Sequence, residues 1–354
     1  MFYSSIILSR EAVEKQEANF NYPSLYKQYL GTAGKWVAVF ANLIILYGLL
    51  TAYLTGITTI VTNLFHISIP HIWIMLIFFA IVTVISMAGI EAISKYIALL
   101  VVAKCAVFVV LIFMAGGGIR MENLSHMDWA LFSCGIPILV TAFHFHNIIP
   151  AICQTLKWDF KIIKRTMLIG MAMCFAMNAS WLLIGIGVLP LDSSPVGLIN
   201  AFIKNLPATI PLSEAIHSKT FQILALFFAV VAITTAYLAN GMGLIGFMDD
   251  LIFHRLGKTN PLFSRALAFL PPLAISILYP DLFLKAIDIA GGFGIVTLFG
   301  ILPSIIALKK ARNGRERALG VMMLLLFGIF FLFETAQELG FLKIDPSTEY
   351  WNIK

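Results

Sequence analysis

Charge is what this sequence has least of. Asp, Glu, Lys and Arg make up only 12% of its 354 residues, whereas apolar residues make up 60% and the mean hydropathy is +0.93. A soluble domain of this length cannot be built from that composition, so the chain is an integral membrane protein. Cysteine is scarce too. The four present, Cys105, Cys134, Cys153 and Cys174, fall in or at the edge of apolar runs, and no pair has metal-site spacing, so they read as reduced packing residues. The 24 Lys and Arg outnumber the 18 Asp and Glu, but they sit in short loops between apolar runs rather than on one surface, which excludes nucleic acid as a partner.

What is present is a series of apolar runs. A helix needs about 20 mostly apolar residues to cross the hydrocarbon, and nine such helices are predicted near 36–64, 70–89, 96–115, 130–152, 166–189, 220–248, 263–279, 282–307 and 318–334. The expected organisation is a single all-α transmembrane domain over 1–354. It has an N-terminal segment (1–35), the nine helices (36–334) and a polar tail (335–354). The stretch from Pro190 to Ser218, with Pro195, Pro207 and Pro211, is expected to be an exposed loop. Of the 24 basic residues, seventeen fall in alternate loops that include the N-terminal segment, six lie on the other side, and Lys104 is inside a span. Lys and Arg concentrate on the cytoplasmic side, so the N-terminus is expected in the cytoplasm and, after nine spans, the C-terminus outside.

The chain opens on MFYSSIIL, apolar for only eight residues, followed by the charged SREAVEKQEANFNYPSLYKQYLG. A signal peptide has its charges first and its apolar core afterwards. The order here reads as the end of a longer helix followed by a soluble-looking segment.

Polar residues inside spans are costly and normally face a protein interior or an aqueous path. In the first span Tyr47, Thr51, Thr55, Thr58 and Thr62 recur at three- and four-residue intervals, lining one helix face with hydroxyls. Hydrogen bonding between helices explains such a stripe as well as a pathway does. Thr234, Thr235, Tyr237 and Asn240 lie among small glycines, where close helix packing is the competing explanation. Lys104 lies about eight residues, roughly 12 Å, into its span, too far to reach the interface comfortably, and reads as an interior ammonium. Asp288, near the outer end of its span, is a candidate outer gate.

The least expected stretch is TAFHFHN, Thr141 to Asn147, at mid-depth between Pro137 and Pro150. Its members Thr141, Ala142, Phe143, His144, Phe145, His146 and Asn147 are the candidate substrate-binding residues. A metal is disfavoured, because positions i and i+2 of a helix point to different faces and no Cys, Asp or Glu shares the span. An enzyme is disfavoured as well: catalysis wants a nucleophile beside the imidazole, and Ser133 is about three turns away. No cofactor is expected. The remaining readings are a kinked helix with two satisfied histidines, or an interrupted helix whose freed backbone groups line a cavity. Interrupted helices that address a solute and its coupling ion are the signature of secondary transporters.

These residues resemble a family. IPILVTAFHFHNIIPAI is similar to the broken sixth helix of the hydroxy and aromatic amino acid permeases, the bacterial tyrosine- and tryptophan-specific transporters. KQYLGTAGKWVAVF with LYGLLTAYLTG, then TTAYLANGMGLIGFMDDLI, then FLPPLAISILYPDLF leading to AGGFGIV agree in order, so the resemblance covers essentially the whole chain. It implies an eleven-helix fold of the amino acid, polyamine and cation superfamily, an inverted 5+5 repeat plus one C-terminal helix. It also implies import of an aromatic amino acid with a proton across the bacterial inner membrane, with the C-terminus in the periplasm.

Backbone groups from Thr141 to His146 are then expected to hold a polar end of the amino acid, with Tyr47 and Thr51 nearby and Phe143 and Phe145 against its ring. One histidine, not both, is expected to face the cavity. Superfamily members place a cation between their first, fifth and eighth helices. By that count Lys104 is in the fifth, and Thr234 and Thr235 in the eighth, which makes Lys104 the expected proton-coupling residue and the hydroxyls its acceptors. The span carrying Thr141 to Asn147 is only the fourth here, so the chain is expected to lack the family's first helix and most of its second, with MFYSSIIL the tail of the latter. A chain of that kind is expected not to transport by itself. The alternative is a non-transporting membrane sensor or partner subunit that kept the fold. Tyrosine against tryptophan, proton against sodium, and oligomeric state are open at this level.

Overall fold

The computed structural model describes residues 1–16, 21–65, 69–87, 90–125, 129, 132, 135–256 and 260–341. Ser133, Cys134, Lys258 and the tail from residue 342 onward, with Lys343 and Lys354, lie outside the described residues. All regular structure among the described residues is helical. In chain order it comprises α1 (Phe2–Lys15), α2 (Tyr22–Phe65), α3 (His71–Met87), α4 (Ile90–Gly116), α5 (Met121–Leu124), α6 (Ile136–Ala142), a 3₁₀ turn (His146–Ile148) and α7 (Ile149–Thr155). Then follow α8 (Phe160–Val188), α9 (Leu198–Ile203), α10 (Thr209–Ile216), α11 (Lys219–Leu256), α12 (Pro261–Leu278), α13 (Phe283–Ile289), a π-helix (Ala290–Ile301), α14 (Leu302–Lys310) and α15 (Gly314–Glu338).

Eight helical segments are long and apolar enough to cross a membrane, and α3, at 17 residues, is the shorter ninth apolar helix. Each corresponds to one predicted run, and the protein is an all-α integral membrane protein. Hydropathy finds these helices because a membrane-spanning segment satisfies all its backbone polar groups internally and needs only apolar side chains outside. Those side chains are on view: Leu99, Val102 and Phe113 of α4 are each more than 60% exposed.

The chain divides into two compact units. The first comprises Met1–Gly48, Asp128–Met177 and Ile287–Ile344; the second contains Leu49–Met127 and Asn178–Ala286. In the first unit the π-helix packs on α6, α14 and α15, and α1 packs on α7 and α14. In the second unit α11 packs on α3, α4, α10 and α12. Leu111, Ala115, Ile184, Val188, Leu212 and Phe221 form a buried apolar cluster there.

One expectation about connecting segments needs correction, and two segments to which the sequence assigned no secondary structure are helical. The soluble-looking residues after MFYSSIIL continue α1 to Lys15, with Ser9, Glu11 and Ala12 buried. The stretch before Lys35 is also helical: α2 begins at Tyr22 and breaks at Gly31, whose φ of 68° suits a residue without a Cβ. That first piece is held by Tyr26, whose hydroxyl donates to the Leu298 carbonyl at 2.6 Å. The expected exposed loop from Pro190 to Ser218 contains α9 and α10, with Ile199, Ile210 and Leu212 buried.

Candidate functional site

The helix containing Thr141 to Asn147 is broken, and the break has a local cause. Pro137 and Pro150 each sit in the first turn of a short helix, α6 and α7, where a residue lacking an N–H costs nothing. Between them the chain leaves α-geometry from Phe143 to Phe145 and resumes through the 3₁₀ turn at His146. Several backbone groups of the break have partners in the first unit. The Phe143 and His144 amides donate to the Leu139 and Thr141 carbonyls at 3.2 and 3.0 Å. The Tyr22 hydroxyl donates to the His146 carbonyl, and the Cys174 thiol donates to the Ala142 carbonyl at 3.4 Å.

The two histidines do not diverge. Their rings are parallel within 6° with centroids 5.9 Å apart, and both lie over Phe299 of the π-helix, at 5.2 Å for His144 and 4.8 Å for His146. The expectation that only one faces inward assumed a helical remnant, with about 100° per residue. Where the backbone has left the helix, alternate side chains return to the same side. His146 is fully buried. The Nε2 of His144 is buried without a hydrogen-bond partner, the ring nitrogens of His146 are buried beside the Met1 backbone, and Asn147 bonds to the His144 side chain. Phe143 stacks on Phe175 at 6.4 Å, and Phe145 lies 5.0 Å from the His146 ring.

Thr141 anchors the break to the π-helix region. Its hydroxyl reaches the Pro137 carbonyl at 3.0 Å and the Ile287 carbonyl at 3.3 Å. Gly291 makes this approach possible: a Cβ there would stand 2.2 Å from the Pro137 carbonyl oxygen and 2.4 Å from Thr141 Oγ1. A π-helix of 12 residues is far longer than the single-turn bulges such geometry usually forms, and those bulges concentrate at functional sites.

The remaining candidates divide between the units. Tyr47 belongs to the first unit and is half-buried. Thr51 belongs to the second, is 1% exposed, and its hydroxyl oxygen has no partner. The rest of that stripe is largely self-satisfied. Thr55, Thr58 and Thr62 each donate to the carbonyl four residues earlier, at 3.0, 2.7 and 2.8 Å, so their hydroxyls serve their own helix. In the second unit Lys104 Nζ of α4 donates to Thr235 Oγ1 of α11 at 3.5 Å. Thr235 can accept because its own proton goes to the Val231 carbonyl at 2.8 Å. Thr234, one position away on the helix, makes no such bond among the described residues.

Asp288 is not solitary. A carboxylate oxygen from each of Asp288, Glu334 and Glu338 falls within 4.8 Å of the others, with Glu334 buried. Sequence reading ended the last span at Glu334 and overlooked this pair; the available signal was the i, i+4 spacing, which puts Glu334 and Glu338 on one face of α15.

Comparison with known proteins gives a consistent answer. The tryptophan/tyrosine permease family matches residues 1–336. The tyrosine-specific transport system 1 of Haemophilus influenzae is 27% identical over 317 residues, 87% of this chain and 77% of that protein. The tryptophan-specific transport protein of Shigella flexneri is 23% identical over 342 residues, 88% of this chain and 80% of its own length. The low affinity tryptophan permease of Proteus vulgaris is 25% identical over 333 residues, with 88% and 77% covered.

Proposed function

The chain belongs to the tryptophan/tyrosine permease family, and from that premise we propose that it imports tyrosine or tryptophan with a proton across the bacterial inner membrane. The observation that carries this reading is the interrupted helix at residues 143–145, flanked by α6 and α7. Backbone polar groups are tolerated at membrane depth where protein or a solute satisfies them. In this reading the break from Thr141 to Asn147, with Tyr47, receives the amino acid, and Phe143 and Phe145 contact its aromatic ring. Lys104 carries the coupling charge and Thr235 accepts its hydrogen bond. Asp288, together with Glu334 and Glu338, acts at the outer gate. The whole works as one transporter domain with its N-terminus in the cytoplasm and its C-terminus in the periplasm.

The test is uptake of labelled tyrosine and of labelled tryptophan by cells deprived of their own aromatic amino acid transport and expressing this chain, with and without a protonophore. Accumulation of one of them that the protonophore collapses supports import and overturns the expectation that this chain does not transport by itself. Binding of either to the purified protein without uptake supports a sensor instead.

A further inference from the structure

The turn between α14 and α15 gathers positive charge at the head of an exposed apolar stripe. Lys309, Lys310, Arg312, Arg315 and Arg317 fall within nine residues, and Glu316 is the single acid among them. Part of that charge is already engaged. Lys310 pairs with Glu11 and Glu14, and Lys309 donates to the Tyr29 carbonyl. The Glu316 carboxylate accepts from the Arg312 amide at 2.8 Å. Arg312, Arg315 and Arg317 are exposed, and their side chains form no ion pair with the described residues. From Arg317 a groove of about 640 Å³ runs down α15, walled by Ala318, Val321, Met322, Leu325 and Ile329. Their spacing of three and four residues puts them on one helix face. Gly320 and Phe327, on the opposite face, are buried against Leu308 of α14 and Gly300 of the π-helix. Met322 and Leu325 are each 61% exposed.

Length and chemistry together say what covers this face. The twelve residues from Arg317 to Ile329 span about 18 Å of helix, close to one leaflet of a hydrocarbon core about 30 Å thick. The groove therefore runs from the interface to near the midplane, which is the reach of one acyl chain. At its head a guanidinium presents a planar fork that matches a phosphate group. The end of α15 adds to this. Asn313 takes the Glu316 and Arg317 amides, and the amides of Gly314 and Arg315 are left facing out of the helix end, where the macrodipole also favours an anion. Nothing lies within 4 Å of where a Gly314 Cβ would stand, so the space over that turn is open. A zwitterionic headgroup brings its own ammonium, which three uncompensated arginines repel; an anionic one does not. We propose that this face of α15 binds one anionic phospholipid, its phosphate at Arg317 and the first turn of the helix, and one acyl chain along Val321, Met322, Leu325 and Ile329. Arg312 and Arg315 raise the potential around the headgroup without touching the groove. The site is independent of the transport reading, and the proposed topology serves only to name its leaflet, the cytoplasmic one.

Photolabelling tests this on the full chain in phosphatidylcholine nanodiscs doped with phosphatidylglycerol that carries a diazirine in its acyl chain, with labelled peptides mapped by mass spectrometry. Labelling of residues 318–329 is expected to saturate at a low mole fraction of that lipid. With the same diazirine on phosphatidylcholine it is expected to rise only in proportion to mole fraction, as it does with either lipid at Leu99 and Val102, which are exposed on α4. Arg317→Gln is expected to raise the half-saturating fraction about fivefold, the contribution of one arginine near an anionic surface. Lys161→Gln/Lys164→Gln, which removes two exposed cations from α8, leaves that fraction unchanged. Equal labelling by the two lipids, or an equal loss in the α8 variant, overturns the proposal and marks the contact as ordinary bulk lipid. An unlabelled stripe beside a labelled α4 shows that protein covers the face, and overturns it too. The comparison of the two lipids uses the parent protein, so it decides even if a variant does not fold.

Discussion

Replacing Lys310 by Met separates two parts of the first unit that are distant in sequence, and its cost follows from the local geometry. Lys310, the last residue of α14, bonds Glu11 Oε1 and Glu14 Oε2 of α1, both at 2.6 Å, and Glu11 Oε2 accepts from the Tyr29 hydroxyl at 2.7 Å. The Glu11 side chain is 3% exposed, Glu14 60% and Lys310 35%. The Glu14 contact is therefore a surface pair contributing about 0–0.5 kcal/mol. Glu11 matters more, because without Lys310 it is a buried carboxylate left with a single neutral donor. Stranding a fully buried charge costs about 3–5 kcal/mol. Lys310 is a third exposed, so water partly replaces it, and about 2 kcal/mol is the better figure. For a protein of this size that lowers the melting temperature by about 3 °C, which thermal unfolding of the detergent-solubilised protein can follow by fluorescence. Glu11→Gln/Lys310→Met removes both charges and is expected to recover at least half of the loss. A double variant that loses as much as the two single variants combined refutes this account, because it shows that the charges do not interact.

Gly291→Ala puts a methyl group 2.2 Å from the Pro137 carbonyl oxygen, so α6 must move off the π-helix. Overpacking of this kind costs about 1–3 kcal/mol, and ligand binding measured by calorimetry is expected to weaken more than the melting temperature falls. Equal binding in the variant shows that the break does not depend on this contact. Lys104→Gln is expected to leave exchange of amino acid across proteoliposome membranes intact and to abolish accumulation against a gradient, and undiminished accumulation removes Lys104 from the coupling step. Cysteines placed at Asn313 and at Pro207 are expected to react with impermeant reagent from opposite sides of the membrane. Labelling of both from one side overturns the proposed topology.

The sequence by itself determined the class of the protein, the position of nearly every long helix, and the family. Each of these rests on local information, either apolar runs long enough to span the hydrocarbon or short motifs such as IPILVTAFHFHNIIPAI. It also located the break, since Pro137 and Pro150 act on their own backbone wherever the helix is packed. Tertiary structure decided the rest. That Glu11 in SREAVEK is buried against Lys310, almost three hundred residues away, is not encoded by any local propensity. That Ala290–Ile301 is a π-helix depends on what its glycines approach, because their spacing suits an ordinary helix equally well. The joining of Asp288 to Glu334 and Glu338 comes from the packing of α15 on its neighbours. The same holds for the two histidines. Helical periodicity sends positions i and i+2 apart, and only a backbone that has left the helix, fixed by Tyr22, Thr141 and Phe299 from separate parts of the chain, brings both imidazoles over one ring. Periodicity can be read from sequence as long as the helix persists; where it stops, side-chain direction is set by whatever the freed backbone packs against.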